Sequence, residues 1–164
     1  MFNCLPMTRT ADTDSRADVD ARRHWMAVLA RAPVQELEAA WRGLRAPPEY
    51  VWLRRPETGL AMLRGRAGGT GAKFNLGEAS LTRCALRTAR GQTGIAYVLG
   101  RSHRHAELAA VFDAMLQDAE LHPSIEHDVI AALFAAQAAR REAAGRKTAA
   151  TRVDFYTLAR GEDS

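Results

Sequence analysis

The chain has 164 residues, of which 47% are hydrophobic and 26% charged. That composition is ordinary for one soluble globular domain with a real core, and it excludes a fibrous or wholly disordered chain. Net charge is +4, from 23 basic and 19 acidic residues, a balance that suits an anionic ligand or an acidic partner and demands neither.

All basic residues except Lys73 and Lys147 are arginines. Arginine favours planar, bidentate pairing with carboxylate or phosphate, and it is equally common in protein interfaces. The basic residues are dispersed and no nucleic-acid motif accompanies them, so no nucleic-acid partner is expected. No apolar run approaches the roughly 18–20 residues that cross a bilayer. Residues 1–10 also lack the apolar core of a secretion signal, so the expected compartment is the cytoplasm. The two cysteines, Cys4 and Cys84, form no CxxC pair, which excludes a zinc site built on cysteine pairs.

Residues 1–17 read as a disordered leader, because Asp12 and Asp14 alternate there with small polar residues and nothing could build a core. Residues 18–164 read as a single domain. A helix is expected from Asp18 or Asp20, where an acidic residue suits the N-terminal dipole, and it stops before Pro33. It carries Trp25, Val28 and Leu29 on one side. A second helix, Val34 to Arg45, places Leu37, Trp41 and Leu44 at i, i+4, i+7 and ends at Pro47 and Pro48.

The pattern then turns to strands. Tyr50 to Arg55, Leu60 to Arg66, Ser80 to Thr88 and Gly94 to Leu99 are rich in β-branched, aromatic and aliphatic residues. Turn signals separate them at Pro56-Glu57-Thr58-Gly59, in the glycine-rich Ala67 to Ala79 link, and at Ala89-Arg90-Gly91. These segments predict a four-stranded antiparallel sheet. Helical periodicity returns from His103 to about Glu120, with Leu108, Phe112, Met115 and Leu116 on one stripe. Pro123 opens another helix with Ile125, Val129, Leu133 and Phe134 inward, running to about Lys147. Val153 to Leu158 reads as a short C-terminal strand. The fold class is α+β: two helices, a four-stranded sheet, two helices and a last strand.

The loop Gly65 to Gly71, with Gly68, Gly69 and Gly71, resembles an anion nest of backbone N–H groups. It lacks the Gly-Lys-Ser/Thr ending of a P-loop and opens no helix. A flexible connection or a tight approach to a neighbouring subunit is the favoured reading, and ligand contact stays open. Arg64 with Arg66, and Arg83 with Arg87, are same-face pairs on strands. Partner contact ranks first for them, a solvated face second and substrate third. Arg101 is a further candidate for partner or anion contact. His103, His105 and Glu107 have i, i+2 spacing that splits a helix face, so no metal site is expected. His105 and Glu107 fit helix capping or a buried polar contact. Spacing offers no nucleophile with its base, so no catalytic residue is assigned. Cys84 reads as core, and Trp25, Trp41 and Trp52 as core or interface anchors.

Several stretches, in order, carry a resemblance. They are Arg23-His24-Trp25-Met26, Pro56-Glu57-Thr58-Gly59-Leu60, Gly65-Arg66-Ala67-Gly68-Gly69-Thr70-Gly71, Phe74-Asn75-Leu76-Gly77-Glu78 and Leu81-Thr82-Arg83-Cys84. Gly100-Arg101, His105-Ala106-Glu107, Asp113-Ala114-Met115-Leu116-Gln117 and Thr151-Arg152-Val153-Asp154-Phe155 complete the series. From about residue 20 to 161 the chain resembles the PhnG family of the carbon–phosphorus lyase system.

The resemblance implies an accessory subunit of the lyase core complex, with the subunits PhnH, PhnI and PhnJ as partners. It implies a supporting role in phosphonate catabolism, where ATP and a phosphonate form a ribose 1-phosphonate 5-triphosphate. It also implies that the iron–sulfur cluster and S-adenosylmethionine belong to another subunit, this chain having too few cysteines for a cluster. The alternative is a small independent enzyme or binding protein acting on a phosphorylated ligand.

Overall fold

A computed structural model describes residues 10–151, with side chains from Arg16 onward. Residues 1–9 of the expected leader and the expected strand Val153 to Leu158 lie outside the described residues.

Helix α1 spans Thr10–Arg31, so it begins ahead of the expected Asp18. The acidic residues of its first turns suit the positive end of the helix dipole. Pro33 breaks the run, and α2 follows over Val34–Gly43 with Leu37 wholly buried. Three strands come next: β1 Tyr50–Arg66, β2 Lys73–Thr88 and β3 Thr93–Leu99, in the order β1-β2-β3, all antiparallel.

The expected four strands are therefore three. Tyr50 to Arg55 and Leu60 to Arg66 are one continuous strand, and Pro56-Glu57-Thr58-Gly59 makes no turn. Pro56 sits where the register slips, between Arg54↔Ala85 and Glu57↔Arg83. A bulge on an edge strand accommodates a residue that has no N–H to give to a ladder. The glycine-rich link also shortens, because β2 starts at Lys73 and the actual turn is a single 3-10 turn over Ala67–Gly69. The β2–β3 hairpin turns at Ala89-Arg90-Gly91 as expected, with Gly91 at φ 95°.

Helix α3, His103–Leu116, is the centre of the molecule. Ser102 caps it by accepting from the His105 N–H at 3.2 Å. Almost every α3 side chain is buried, since one side packs on the sheet and the other on α1 and α2. Close approach to β3 requires Gly94, where a Cβ would lie 1.9 Å from the Ala110 carbonyl oxygen. On the sheet, Thr82, Cys84, Leu86, Ala96 and Val98 point into this core.

The last helical run starts as α4, His122–Ile125, with Pro123 in its first turn. It continues through a π-helical turn, Glu126–Ile130, into α5, Ala131–Ala150. Ile125, Val129, Ile130 and Leu133 are buried, whereas Phe134, expected inward, is 44% exposed against the His24 ring. The wide turn holds one extra residue and rotates the inward face, so that Ile130 enters the core.

A buried polar hub locks the layers. The Asp113 carboxylate, in the middle of α3, is 0% exposed. It accepts Arg22 Nε at 3.1 Å and Nη2 at 2.7 Å from α1, Trp25 Nε1 at 2.9 Å, and the Ile95 N–H of β3 at 2.9 Å. Four donors satisfy a charge that would otherwise be costly to bury.

Candidate functional site

The sheet has one covered and one open face, and strand alternation explains why. Thr82, Cys84 and Leu86 fill the helix side, so Leu81, Arg83, Ala85 and Arg87 face outward. The register continues that open face across both neighbours: Leu81 pairs Leu99, Arg83 pairs Tyr97, and Ala85 pairs Ile95. On the other edge Val51 opposes Arg87 and Glu57 opposes Arg83. Leu99 is 66% exposed, and Val51, Leu53 and Tyr97 are also exposed. Gly59, with no side chain, leaves a shallow depression edged by Leu60, Leu81, Arg83 and Tyr97.

This face is less cationic than its arginines imply. Glu57 accepts from Arg54 at 2.5 Å and from Arg83 at 2.8 Å. Those two hydrogen bonds, Arg54 first, hold the Glu57 carboxyl below the usual carboxylate range. Among the described residues, Arg87 makes one long contact, to Thr93 Oγ1 at 3.4 Å.

β1 and β2 run on beyond β3 as an arm. A bulge in β2 aligns Leu63 with Gly77 and then Arg64 with Asn75. Alternation along β1 therefore puts Arg64 and Arg66 on the arm face opposite that of Arg83 and Arg87, so the two arginine pairs do not form one basic surface. The tip is the glycine loop. Gly68 adopts φ 58°, the left-handed conformation that glycine tolerates. The Gly71 N–H donates to the Ala67 carbonyl at 3.1 Å, and Arg66 donates to the Gly71 carbonyl at 3.0 Å. The loop's polar groups thus close the turn on itself, with Gly69 ending the 3-10 turn.

The remaining candidates lie elsewhere. Arg101 follows β3 and reaches Ser80 Oγ at 3.4 Å. His105 is buried, its Nε2 at 2.9 Å from the Leu29 carbonyl, which ties the start of α3 to the end of α1. Glu107 accepts from the Tyr50 hydroxyl at 2.5 Å and pairs with Arg104 at 3.1 Å. Burial, and then the bond to Glu107, push the Tyr50 hydroxyl up to about 12. His103 contacts Thr58 Oγ1 instead, at 3.2 Å. Among the described residues no group of His, Cys, Asp and Glu is arranged to hold a metal ion. Cys84 is a core residue, donating to the Ala106 carbonyl at 3.1 Å, and burial pushes its thiol up to about 12. Trp25 is fully in the core, and Trp41 and Trp52 pack on its edge.

A family model described as phosphonate metabolism protein PhnG matches residues 20–161. The chain belongs to the PhnG family. A relative from Rhizobium meliloti (strain 1021), the alpha-D-ribose 1-methylphosphonate 5-triphosphate synthase subunit PhnG, is 45% identical over 159 residues, covering 96% of this chain and 100% of the relative. The PhnG match contains most of α1, the whole sheet with its arm, and the helices that follow. The arginines and the glycine turn stand out in the sequence as candidates, whereas the exposed apolar residues around them do not. The overlooked signal is Leu60-Ala61-Met62-Leu63, a strand apolar at successive positions and hence on both faces.

Proposed function

We propose that this chain is a subunit of a carbon–phosphorus lyase core assembly, and that it supports synthesis of a ribose 1-phosphonate 5-triphosphate from ATP and a phosphonate. The observation that carries this reading is the 45% identity, over nearly the whole chain, to a protein named as a subunit of alpha-D-ribose 1-methylphosphonate 5-triphosphate synthase. The geometry supports a partner-bound role. The open sheet face exposes Val51, Leu53, Tyr97 and Leu99, large apolar side chains that a partner's surface would cover.

The assignment extends to partners and compartment. PhnH, PhnI and PhnJ are the proposed companions, in the cytoplasm. Among the described residues no helix is long and apolar enough to cross a membrane. ATP enters as substrate of the assembly, and the iron–sulfur and S-adenosylmethionine chemistry is assigned to a companion subunit. This chain's own contribution is a rigid scaffold: α3 pinned by Asp113 holds the sheet so that its outer face is presented in one orientation.

Co-expression with the PhnH, PhnI and PhnJ subunits, followed by size-exclusion chromatography, tests the reading. A stable hetero-oligomer containing this chain is expected, and the isolated chain is expected to be silent toward ATP plus methylphosphonate. Turnover by the isolated chain, or its elution apart from the other subunits, would sink it.

A further inference from the structure

The pairing of β2 with β3 stops at Leu81↔Leu99, yet β1 and β2 stay paired out to Arg66↔Lys73. Residues 60–66 and 73–80 are therefore a two-stranded ribbon standing off the body. Such a ribbon is marginally stable by itself in water, and needs a third strand or a packed surface. This one is exposed along nearly its whole length.

Its side chains have a definite pattern. Leu60 and Met62 lie on one face, 69% and 52% exposed. Leu63, Phe74 and Leu76 lie on the other, at 42%, 47% and 65%. Leu76 crosses over Gly65, where a Cβ would meet it at 2.3 Å, so the arm is narrow there. Toward the tip, Arg64, Arg66 and Lys73 supply three positive charges, and residues 64–73 contain no acidic residue. None of the three has a carboxylate partner among the described residues.

We infer that this arm inserts into an apolar-walled cleft of another subunit, with carboxylates of that subunit meeting the basic tip. The inference rests on the subunit reading above and deepens it by naming the docking element and the chemistry of its receptor. Apolar residues on both faces require walls on both sides, which a cleft supplies and a flat surface does not. A second copy of this chain is the poorer fit. In a contact between two arms, three basic groups on each would meet a single carboxylate, Glu78, on the other, so a second copy cannot supply the carboxylates that the tip needs.

The test uses the complete assembly, co-expressed with either the wild-type chain or an arm variant. Leu63→Asp with Leu76→Asp alters only exposed side chains, so the isolated variant keeps the wild-type circular dichroism and melting temperature. Its recovery in the assembly falls at least tenfold, roughly a 1.4 kcal/mol loss of binding. Arg64→Glu with Lys73→Glu lowers recovery more at low salt than at high salt. A second measurement needs no variant. Amide hydrogens of residues 60–66 and 73–80 exchange quickly in the free chain and become protected in the assembly.

Normal recovery of both arm variants, or no protection of the arm, overturns the inference while leaving the subunit reading intact. Failure of the wild-type chain to assemble overturns both. A concentration-dependent dimer of the isolated chain, abolished by the apolar double variant, overturns it in favour of self-association. If the double variant does not fold, arm protection in the wild-type assembly decides.

Discussion

Arg22 of α1 grips Asp113 of α3 with two guanidinium nitrogens, Nη2 at 2.7 Å and Nε at 3.1 Å, where the carboxylate is sealed from solvent. The pair sits between the first helix and the sheet, because the same carboxylate also takes the Trp25 indole N–H and the Ile95 N–H. One side chain thereby sets the spacing of α1, α3 and β3.

Asp113→Ala is expected to destabilise the chain by about 3–5 kcal/mol, chiefly because the Trp25 and Ile95 N–H groups lose their acceptor, with a smaller part from Arg22, which keeps access to water. Urea denaturation followed by circular dichroism measures it. A loss no larger than that of an exposed substitution would remove Asp113 from its central place.

Gly94→Ala is expected to cost at the upper end of the roughly 1–3 kcal/mol typical of core overpacking. The added methyl would sit 1.9 Å from the Ala110 carbonyl oxygen, and backbone cannot rotate aside as a side chain does. A thermal melt at neutral pH checks it; an unchanged midpoint would show that β3 and α3 are further apart.

His105→Ala is expected to lower stability by about 1–3 kcal/mol, because the buried Leu29 carbonyl loses its partner. Incorporation into the co-expressed assembly is expected to survive at a temperature where the variant is folded. Loss of incorporation by a folded variant would give His105 a role at an interface instead.

Cys84 is expected to resist thiol reagents in the folded chain. With Cys4→Ser to remove the other thiol, colorimetric titration at pH 8 reads no free sulfhydryl until denaturant is added. Burial pushes the Cys84 thiol up to about 12, so almost no thiolate exists at that pH. Rapid labelling of the native protein would contradict the buried placement.

Stability is expected to fall as pH rises from about 9 to 12. The Cys84 thiol and the Tyr50 hydroxyl both have folded values raised to about 12, from ordinary values of 9.0 and 10.0. Between each ordinary value and the raised one, the unfolded chain loses its proton while the folded chain keeps it. Stability is therefore fully present below pH 9 and is lost progressively up to 12. Tyr50→Phe is expected to flatten the part of the decline above pH 10, measured as urea midpoints across the range. An undiminished slope in that variant would assign the decline to other groups.

Much of the architecture was legible locally. Pro33 divides α1 from α2 and Ala89-Arg90-Gly91 turns the second hairpin, because each acts through its own backbone geometry. Pro56-Glu57-Thr58-Gly59 misled for an equally physical reason. A proline reads as a breaker unless the strand is known to lie on an edge and to bulge, and both are properties of the sheet. Phe134 was misplaced because one extra residue in the Glu126–Ile130 turn changes the phase of everything after it.

The candidate site divides in the same way. Arg83 and Arg87 were legible as sharing a face, and so were Arg64 and Arg66, because alternation needs only sequence. That the two pairs lie on opposite faces depends on where β1 sits against β2, and a one-residue change of register reverses the answer. His105 reads from sequence as a helix cap or a buried polar contact, and only the placement of α1 supplies its partner, the Leu29 carbonyl.

By itself, then, the sequence determined the family, the helix boundaries marked by proline, and the alternation within each strand. These follow from residue order and from the conformational preferences of single residues. Only the tertiary structure decided that two strand segments are one, that Asp113 is the hub of the core, and that the arm stands clear with apolar side chains on both faces. Those outcomes depend on which distant segments meet. A residue's partners across the fold, unlike its φ and ψ preferences, are not written in its neighbours along the chain.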